Sequence, residues 1–386
     1  MILPSAGSRV IVGLSGGVDS SVAALLLKRQ GIDVSGVFMK NWEDFDPEGR
    51  CPAERDARDA LAACDRIGIE LDAVNFVERY RERVFSYFLD EIRAGRTPNP
   101  DVLCNSEIKF RAFLDHALTA GAALIATGHY AGVVERDGRY HLLRGRDPGK
   151  DQTYFLHRLS QDQLSRALFP LQGLLKRDVR RLAREAGLAN HAKKDSTGIC
   201  FIGERRFRSF LSRYVPERPG EIRGVDGRLL GEHLGVEFYT LGQRQGLGVG
   251  GRAGGNGQPW YVVAKELVTN TVVVAQGHDH PLLYCRRLET GPLHWITAAP
   301  TAGGPVRCTA KTRYRQADQP CTIEPVAADR YRVDFDAPQR AVTPGQSVVF
   351  YRGEECLGGG VIEDAGVAPA GVRRGAPLDA TAGGLQ

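Results

Sequence analysis

The stretch GLSGGVDS, residues Gly13 to Ser20, has the residue types of an anion site. Two adjacent glycines let backbone approach a bound group, and Ser15, Asp19, Ser20 and Ser21 supply side-chain oxygens. A helix opening at this point adds unpaired N–H groups and a partial positive charge. A lone Gly-Gly is more often a serine-capped turn. Here the stretch follows an apolar β-branched run, SRVIVGL, and leads into SSVAALLLKRQG, which favours a phosphate cradle. It is neither GxxxxGK[ST] nor GxGxxG. Two lone thiols are the other candidates. Cys104 in NPDVLCNSEIKF and Cys200 in KKDSTGICFIGERRF each follow a polar turn. A thiol beside a basic group or a helix N-terminus is a nucleophile, and Lys109, Lys193 and Lys194 are candidate neighbours.

These residues need a scaffold. Strands are predicted in SRVIVGL, DVSGVFMK, ELDAVNF and ALIATGHY, alternating with helices in SSVAALLLKRQG, AERDARDALAACDRIG and VERYRERVFSYFLDEIRAG. This alternation predicts an α/β fold with a parallel, doubly wound N-terminal sheet whose ligands sit at the strands' carboxyl edge. The glycine turn, the loop at Met39 and the end of ATGHY all lie there. After about residue 205 the texture becomes β-rich, with a hairpin expected at Asp226-Gly227. We expect a catalytic domain at 1–205, a central β-rich domain at 206–278, a C-terminal β-barrel at 279–364 and a disordered tail at 365–386.

With 386 residues, the chain is too long for one ordinary core. It contains no apolar run of about 18 residues and no secretory pattern at its start, so a cytoplasmic protein without a membrane span is expected. The net charge of +5 decides little. Six arginines between Arg205 and Arg223 form a local basic stripe, usually a solvated face but suited to a phosphate-rich partner. Eight cysteines without a CxxC argue against zinc ribbons and thioredoxin-type pairs, and Cys64, Cys308 and Cys321 sit in patterns expected to be core.

The glycine loop resembles the PP-loop of the N-type ATP pyrophosphatases, which split ATP into AMP and pyrophosphate to activate a substrate oxygen. Taken together, GLSGGVDSSVAA, FMKNWED, GRTPNPDVLCNSEIKF, ATGHYA, KDQTYFL, KKDSTGICFIGERRF, YTLGQRQGLGVGG, VAQGHDHP, RYRQ and TPGQSVVFY resemble the tRNA-specific 2-thiouridylases, in order and across residues 9–364. The resemblance implies an adenine nucleotide alpha hydrolase-like catalytic sheet. It implies ATP, with Mg²⁺ on its phosphates, held by Gly13, Leu14, Ser15, Gly16, Gly17, Val18, Asp19 and Ser20, with Met39 on the adenine side and Gly128 at the nucleotide. Cys200 would carry a persulfide received from a sulfur donor protein. Cys104 would be its partner, the two ending as a disulfide, and Asp101 the proton-transfer group. Asp101 has a plainer reading as an Asx-turn residue. Asn99, Pro100 and Asp101 would touch the target base. Lys150, Asp151, Gln152, Arg313 and Tyr314 would contact the tRNA anticodon stem-loop, with His129 and Gln346 nearby. Taken alone, Met39 reads more simply as core packing and His129 as a satisfied strand-end histidine. No dedicated protein metal site and no oligomer are implied, so a monomer is expected. The chain departs from the pattern in the loop within NWEDFDPEGRCPAERDARD, in an extra residue in LFPLQGLLKRDV, and in its Ala/Gly/Pro tail.

Three rival readings remain at this level. A PP-loop enzyme modifying tRNA without sulfur, such as a lysidine synthetase, would not need the cysteines. A catalytically silent tRNA-binding protein would not need the intact loop. An iron–sulfur cluster on Cys104, Cys200 and Asp101 would show cluster absorbance.

Overall fold

The computed structural model describes residues 8–43, 51–195, 207–249, 257–299 and 304–366. Strand β1 (Arg9–Leu14) is central in a five-stranded sheet with β2 (Asp33–Lys40), β3 (Leu71–Asn75), β4 (Leu124–Ala126) and β7 (Ala167–Leu168), in the order β3-β2-β1-β4-β7. Every pairing is parallel. The pleat sends Val10, Val12 and Leu14 to one face, where they meet Ala24 and Leu27 of α1 (Val18–Arg29) and Ala60 and Cys64 of α2 (Pro52–Ile67). Ile11 turns to the other face, in the core shared with Phe113, Leu114 and Ala117. Burial on both faces explains why these strands read as continuous apolar runs. Helix α1 ends as expected, with Gly31 at φ +77° just beyond its last turn. The strand order reverses between β1 and β4, with β2 and β3 added on one side of β1 and β4 and β7 on the other, which makes the carboxyl edge there the switch point where such sheets bind ligands.

The far face is covered by two helical rods. One, α3, spans residues 77–93 and widens to π-helical geometry at Arg81–Phe85. The second, α4, spans 100–119 and is π-helical from Cys104 to Ala112. Such wide turns recur at functional sites. Strand β4 is shorter than the ATGHY reading, because the chain leaves the sheet after Ala126.

The β-rich half forms two sheets. The first has the order β10-β11-β8-β9 from β8 (Gly220–Gly224), β9 (Leu229–His233), β10 (Trp260–Glu266) and β11 (Thr271–Gln276). Its β8–β9 hairpin turns at Asp226-Gly227, Gly227 lying at φ +82°. The second is a six-stranded antiparallel barrel of β12 (Tyr284–Thr290), β14 (Val306–Lys311), β15 (Gln319–Ala327), β16 (Arg330–Arg340), β17 (Ser347–Arg352) and β18 (Glu355–Asp364), closed by β12 against β18. The short β13 (His294–Trp295) also pairs with β18. One feature had no forecast in the sequence: the hairpin β5 (Ala131–Arg136) and β6 (Arg139–Arg144) leaves the catalytic region and adds to the barrel, Leu142 and Leu143 pairing with Cys356 and Glu355. The catalytic region and the barrel therefore share a sheet. Cys64, Cys308 and Cys321 are buried as expected, with the last two facing each other across β14–β15 at 3.7 Å between Sγ atoms. Among the described residues no helix is long and apolar enough to cross a membrane. The tail from residue 367, Arg205 and Arg206 lie outside the described residues.

Candidate active site

The turn between β1 and α1 has the form of an anion cradle. Gly16 sits at φ +71°, where a side chain would be strained, and a Cβ there would come within 2.3 Å of the Asp56 carbonyl. Ser20 Oγ accepts the Ser15 N–H at 3.2 Å and donates to the Gly17 carbonyl at 3.1 Å, closing the loop on itself. Gly17 caps α1 without a side-chain hydrogen bond, leaving the first turn's N–H groups to a ligand. Gly128 braces this turn from the neighbouring strand end. A Cβ on it would lie 2.5 Å from the Ser20 nitrogen and 2.7 Å from the Asp19 carbonyl carbon.

Around the cradle runs a charged network. Lys176, at the start of α7 once α5 (Thr153–Leu156) and α6 (Gln161–Ser165) are counted, donates to both Asp19 oxygens at 2.7 and 2.8 Å and to Asp195 at 2.7 Å. Helix α7 itself spans Lys176–Glu185. Lys150 also pairs with Asp195, as does Arg180 at 2.9 Å. Burial works against the Asp195 charge, but the hydrogen bonds from Lys150 and Lys176 hold its carboxyl down at about 2. Tyr130 donates to Asp19 at 2.8 Å; its burial and the Asp19 charge push the phenol far up, so it stays a donor. Lys193 reaches the Gly16 carbonyl at 3.2 Å, Asp56 at 2.8 Å and Asp59 at 2.5 Å.

The thiol half is arranged differently from its sequence reading. Cys104 is not in a polar loop. It starts the π-helical part of α4 and is 0 % exposed, packed in the core with Trp42, Tyr80 and Phe113. The Asn-Pro-Asp turn before it is a helix cap. Asn99 Oδ1 accepts the Asp101 N–H at 3.2 Å, Pro100 takes the first helical position, and Asp101 lies half-buried in the first turn. The Asx turn is thus made by Asn99. Just upstream, Thr97 is gripped by the two β-rich sheets' regions: its N–H donates to the Pro344 carbonyl at 2.9 Å, its hydroxyl meets Thr240 at 3.2 Å, and its carbonyl accepts from Gln346 at 2.7 Å. Gln346, partly exposed, thus holds the segment before Cys104.

Several other proposed tRNA contacts are also engaged internally. His129 is packed between Phe110 and Phe169 and shares a 2.8 Å hydrogen bond with Thr127; burial, and then the nearby Lys109 charge, keep its ring neutral. Met39 is buried, its Cε lying close to Gly13 at the start of the glycine loop. Asp151 is buried and accepts from Thr153. Gln152 accepts the Tyr130 N–H at 3.0 Å, and Lys150 belongs to the Asp195 network. Arg313 donates to the Arg340 and Ala341 carbonyls, and Tyr314 packs on Phe155 at 4.5 Å between ring centres. KDQTYFL and RYRQ therefore meet at one seam, through Phe155 and Tyr314. The described part of the arginine stripe is spoken for as well: Arg208 bonds Tyr239, Arg218 bonds Glu237, Arg223 bonds Glu221, and Arg213 lies over Phe210. Cys200 lies outside the described residues, five positions beyond Asp195. Among the described residues there is no cluster of three or more metal-ligating side chains.

Three family models match the chain. They are described as a tRNA methyl transferase HUP domain at residues 8–204, a tRNA methyl transferase PRC-barrel domain at 208–276 and an aminomethyltransferase β-barrel domain at 285–362. A tRNA-specific 2-thiouridylase MnmA from Methylococcus capsulatus is 62 % identical over 355 residues, 92 % of this chain and 96 % of that protein. One from Burkholderia pseudomallei is 58 % identical over 371 residues, 94 % of this chain and 97 % of that protein. The chain belongs to the tRNA-specific 2-thiouridylase family.

For a 2-thiouridylase family member the sequence reading had the loop but missed much of its surroundings. Lys176, Arg180, Asn190 and Asp195 were not singled out, and Lys193 was considered only as a thiol neighbour. The usable signal was the Arg-rich run KRDVRRLARE, which places one lysine at the head of a helix. Gly128 supplies a direct test of the cradle. Gly128→Ala is expected to lower stability by about 1–3 kcal/mol, because backbone atoms of Asp19 and Ser20 must move. It should also raise the KM for ATP more than any Ala substitution on the outer face of α1. Thermal melts and initial rates over an ATP series check both; a native melting point and native KM would contradict the bracing role.

Proposed function

We propose that this protein catalyses ATP-dependent 2-thiolation of the wobble uridine in the tRNAs for lysine, glutamate and glutamine, releasing AMP and pyrophosphate. The observation that carries the reading is the cradle itself: uncapped N–H groups at the start of α1, opposed by Lys176 and braced by Gly128, in a chain of the 2-thiouridylase family. Gly13 to Ser20 take the phosphates of ATP. Mg²⁺, expected with them, would neutralise phosphate charge, and Asp19 is the loop carboxylate that would hold it. The uridine C2 oxygen attacks the α-phosphorus, pyrophosphate leaves, and the oxygen becomes a good leaving group. The terminal sulfur of a Cys200 persulfide then attacks C2 and AMP departs. Attack of the Cys104 thiolate on the Cys200 sulfur frees the thiocarbonyl and leaves a Cys104–Cys200 disulfide for external reduction. Since Cys104 is buried in α4, five residues past the Asn99 cap, this last step requires the 99–104 segment to open. Asp101, half-buried on that turn, is the group we assign to proton transfer.

The same reading assigns residues 1–205 to catalysis, 206–278 and 279–364 to holding the RNA, and a separate persulfide-bearing protein to sulfur supply. It describes a monomer acting in the cytoplasm. Phosphate contacts make the association with tRNA salt-dependent. The test is reconstitution with ATP, Mg²⁺, a persulfide source and an unmodified glutamate tRNA, followed by nuclease digestion and mass spectrometry. Appearance of 2-thiouridine together with pyrophosphate is expected. Pyrophosphate release without a thiolated base would keep the nucleotide chemistry and overturn the sulfur chemistry.

A further inference from the structure

We infer that Lys193 and Asn190 form a latch that fixes the orientation of the Gly16–Gly17 peptide, making both of them positioning residues for the triphosphate. The inference rests on the reading of Gly13–Ser20 as the triphosphate site. The Gly16 carbonyl accepts from two side chains at once, Asn190 Nδ2 at 3.2 Å and Lys193 Nζ at 3.2 Å. In a trans peptide the N–H points opposite to the carbonyl, so these two bonds decide where the Gly17 N–H points. Among the described residues that N–H meets only Ser15 Oγ, at a long 3.4 Å, a contact an anion can replace.

A peptide between two glycines is the one in this loop with least steric resistance to reorientation. If it turned over, a carbonyl oxygen would take the place of an N–H and repel a phosphate. The latch residues are themselves held. Asn190 is 6 % exposed, and its Nδ2 also donates to Ser21 Oγ at 3.0 Å, on the first turn of α1. Lys193 Nζ is clamped by Asp56 and Asp59 of α2. Burial opposes the lysine charge, and these two carboxylates more than offset it, so the ammonium is retained. Neither residue touches the face of the loop that α1's N–H groups line, so both act through the peptide and not on the nucleotide.

The test is equilibrium binding of ATP, pyrophosphate and adenosine to the native protein, Lys193→Met, Lys193→Arg and Asn190→Ala. Lys193→Met is expected to weaken ATP and pyrophosphate binding about tenfold or more and leave adenosine binding unchanged. Lys193→Arg should restore most of the loss, because a guanidinium still donates to the carbonyl. In the rate assay the KM for ATP should rise more than kcat falls. Lys193→Met leaves Asp56 and Asp59 facing each other without a cation and could unfold locally, so Asn190→Ala, which removes no charge, repeats the measurement; the same selective loss is expected. Native ATP affinity in both variants would overturn the latch, as would equal losses for ATP and adenosine. Failure of the native protein to bind ATP or pyrophosphate would instead sink the triphosphate reading on which the latch stands.

Discussion

Cys200→Ser and Cys104→Ser are each expected to cut 2-thiouridine formation at least about a thousandfold, while tRNA-dependent pyrophosphate release stays within about threefold of native. The asymmetry is the content of the expectation. In the proposed mechanism adenylation uses the cradle, Lys176 and the positioned base, none of which is a thiol. Sulfur delivery in that mechanism uses Cys200 to carry the persulfide and Cys104 to resolve it. Cys104 carries a complication of its own, because it is fully buried, in the core cluster that also holds Trp42, Tyr80 and Phe113. A serine hydroxyl there costs about 1–3 kcal/mol if it finds no partner. Cys104→Ala, which leaves a small apolar group, separates that cost from the chemistry, and thermal melts of the three variants give the control. Loss of both thiolation and pyrophosphate release in every cysteine variant would point to collapse of the fold. Full thiolation by both Cys104 variants with loss in Cys200→Ser would remove Cys104 from the mechanism and leave direct sulfur attack. Full thiolation by all three would remove both cysteines from the sulfur chemistry and require another carrier for the sulfur.

The enclosure of Cys104 shows what a sequence carries and what it does not. NPDVLC reads as a polar turn because Asn, Pro and Asp are turn residues. The same three residues are the N-cap, first position and acidic first turn of a helix, and here that alternative is the one adopted. What selects it is non-local: Thr97 is tied to Pro344 and Gln346 from the barrel and to Thr240 from the central sheet, which fixes the entry angle of α4. Nothing within ten residues of Cys104 encodes that. The parallel sheet was legible because burial on both faces writes continuous apolar runs into β1 and β2. The barrel strands were legible as alternating runs between turns. The β5–β6 hairpin was not, since its partner strand β18 lies over two hundred residues away and its own pattern is that of any exposed hairpin.

The substrate-side residues show the same limit. Motif-level reading marks Lys150, Gln152, Arg313, Tyr314 and Gln346 as contacts to RNA, yet each has an internal partner in this structure. Three of them lie on seams: Tyr314 on Phe155 and Gln346 on Thr97 join the barrel to the N-terminal region, and Lys150 meets Asp195. Residues at such seams can trade an internal partner for a phosphate or a base, and a sequence cannot distinguish the two occupancies.

Lys176→Met is expected to lower kcat/KM for ATP by about a hundred- to a thousandfold, the usual cost of removing one charge-stabilising donor from an enclosed site. This lysine sat in a stretch notable in the sequence only for an extra residue, LFPLQGLLKRDV. In the structure its ammonium touches both oxygens of Asp19 and one of Asp195. It therefore faces the loop with its charge already shared between two carboxylates, and an arriving triphosphate competes for it. Removing it has two consequences. The phosphates lose their nearest side-chain cation, and Asp19 and Asp195 are left to repel them. A double-mutant cycle with Asp195→Asn separates the two. If repulsion dominates, Asp195→Asn in the Lys176→Met background recovers most of the ATP affinity. If the direct contact dominates, the second change recovers stability but not rate, and the coupling energy is carried by kcat. Lys176→Arg should recover little, because a planar fork cannot reproduce three convergent contacts made by a compact ammonium. A Lys176→Met enzyme within threefold of native kcat/KM would exclude this lysine from the nucleotide site and leave the α1 N-terminus to hold the phosphates alone.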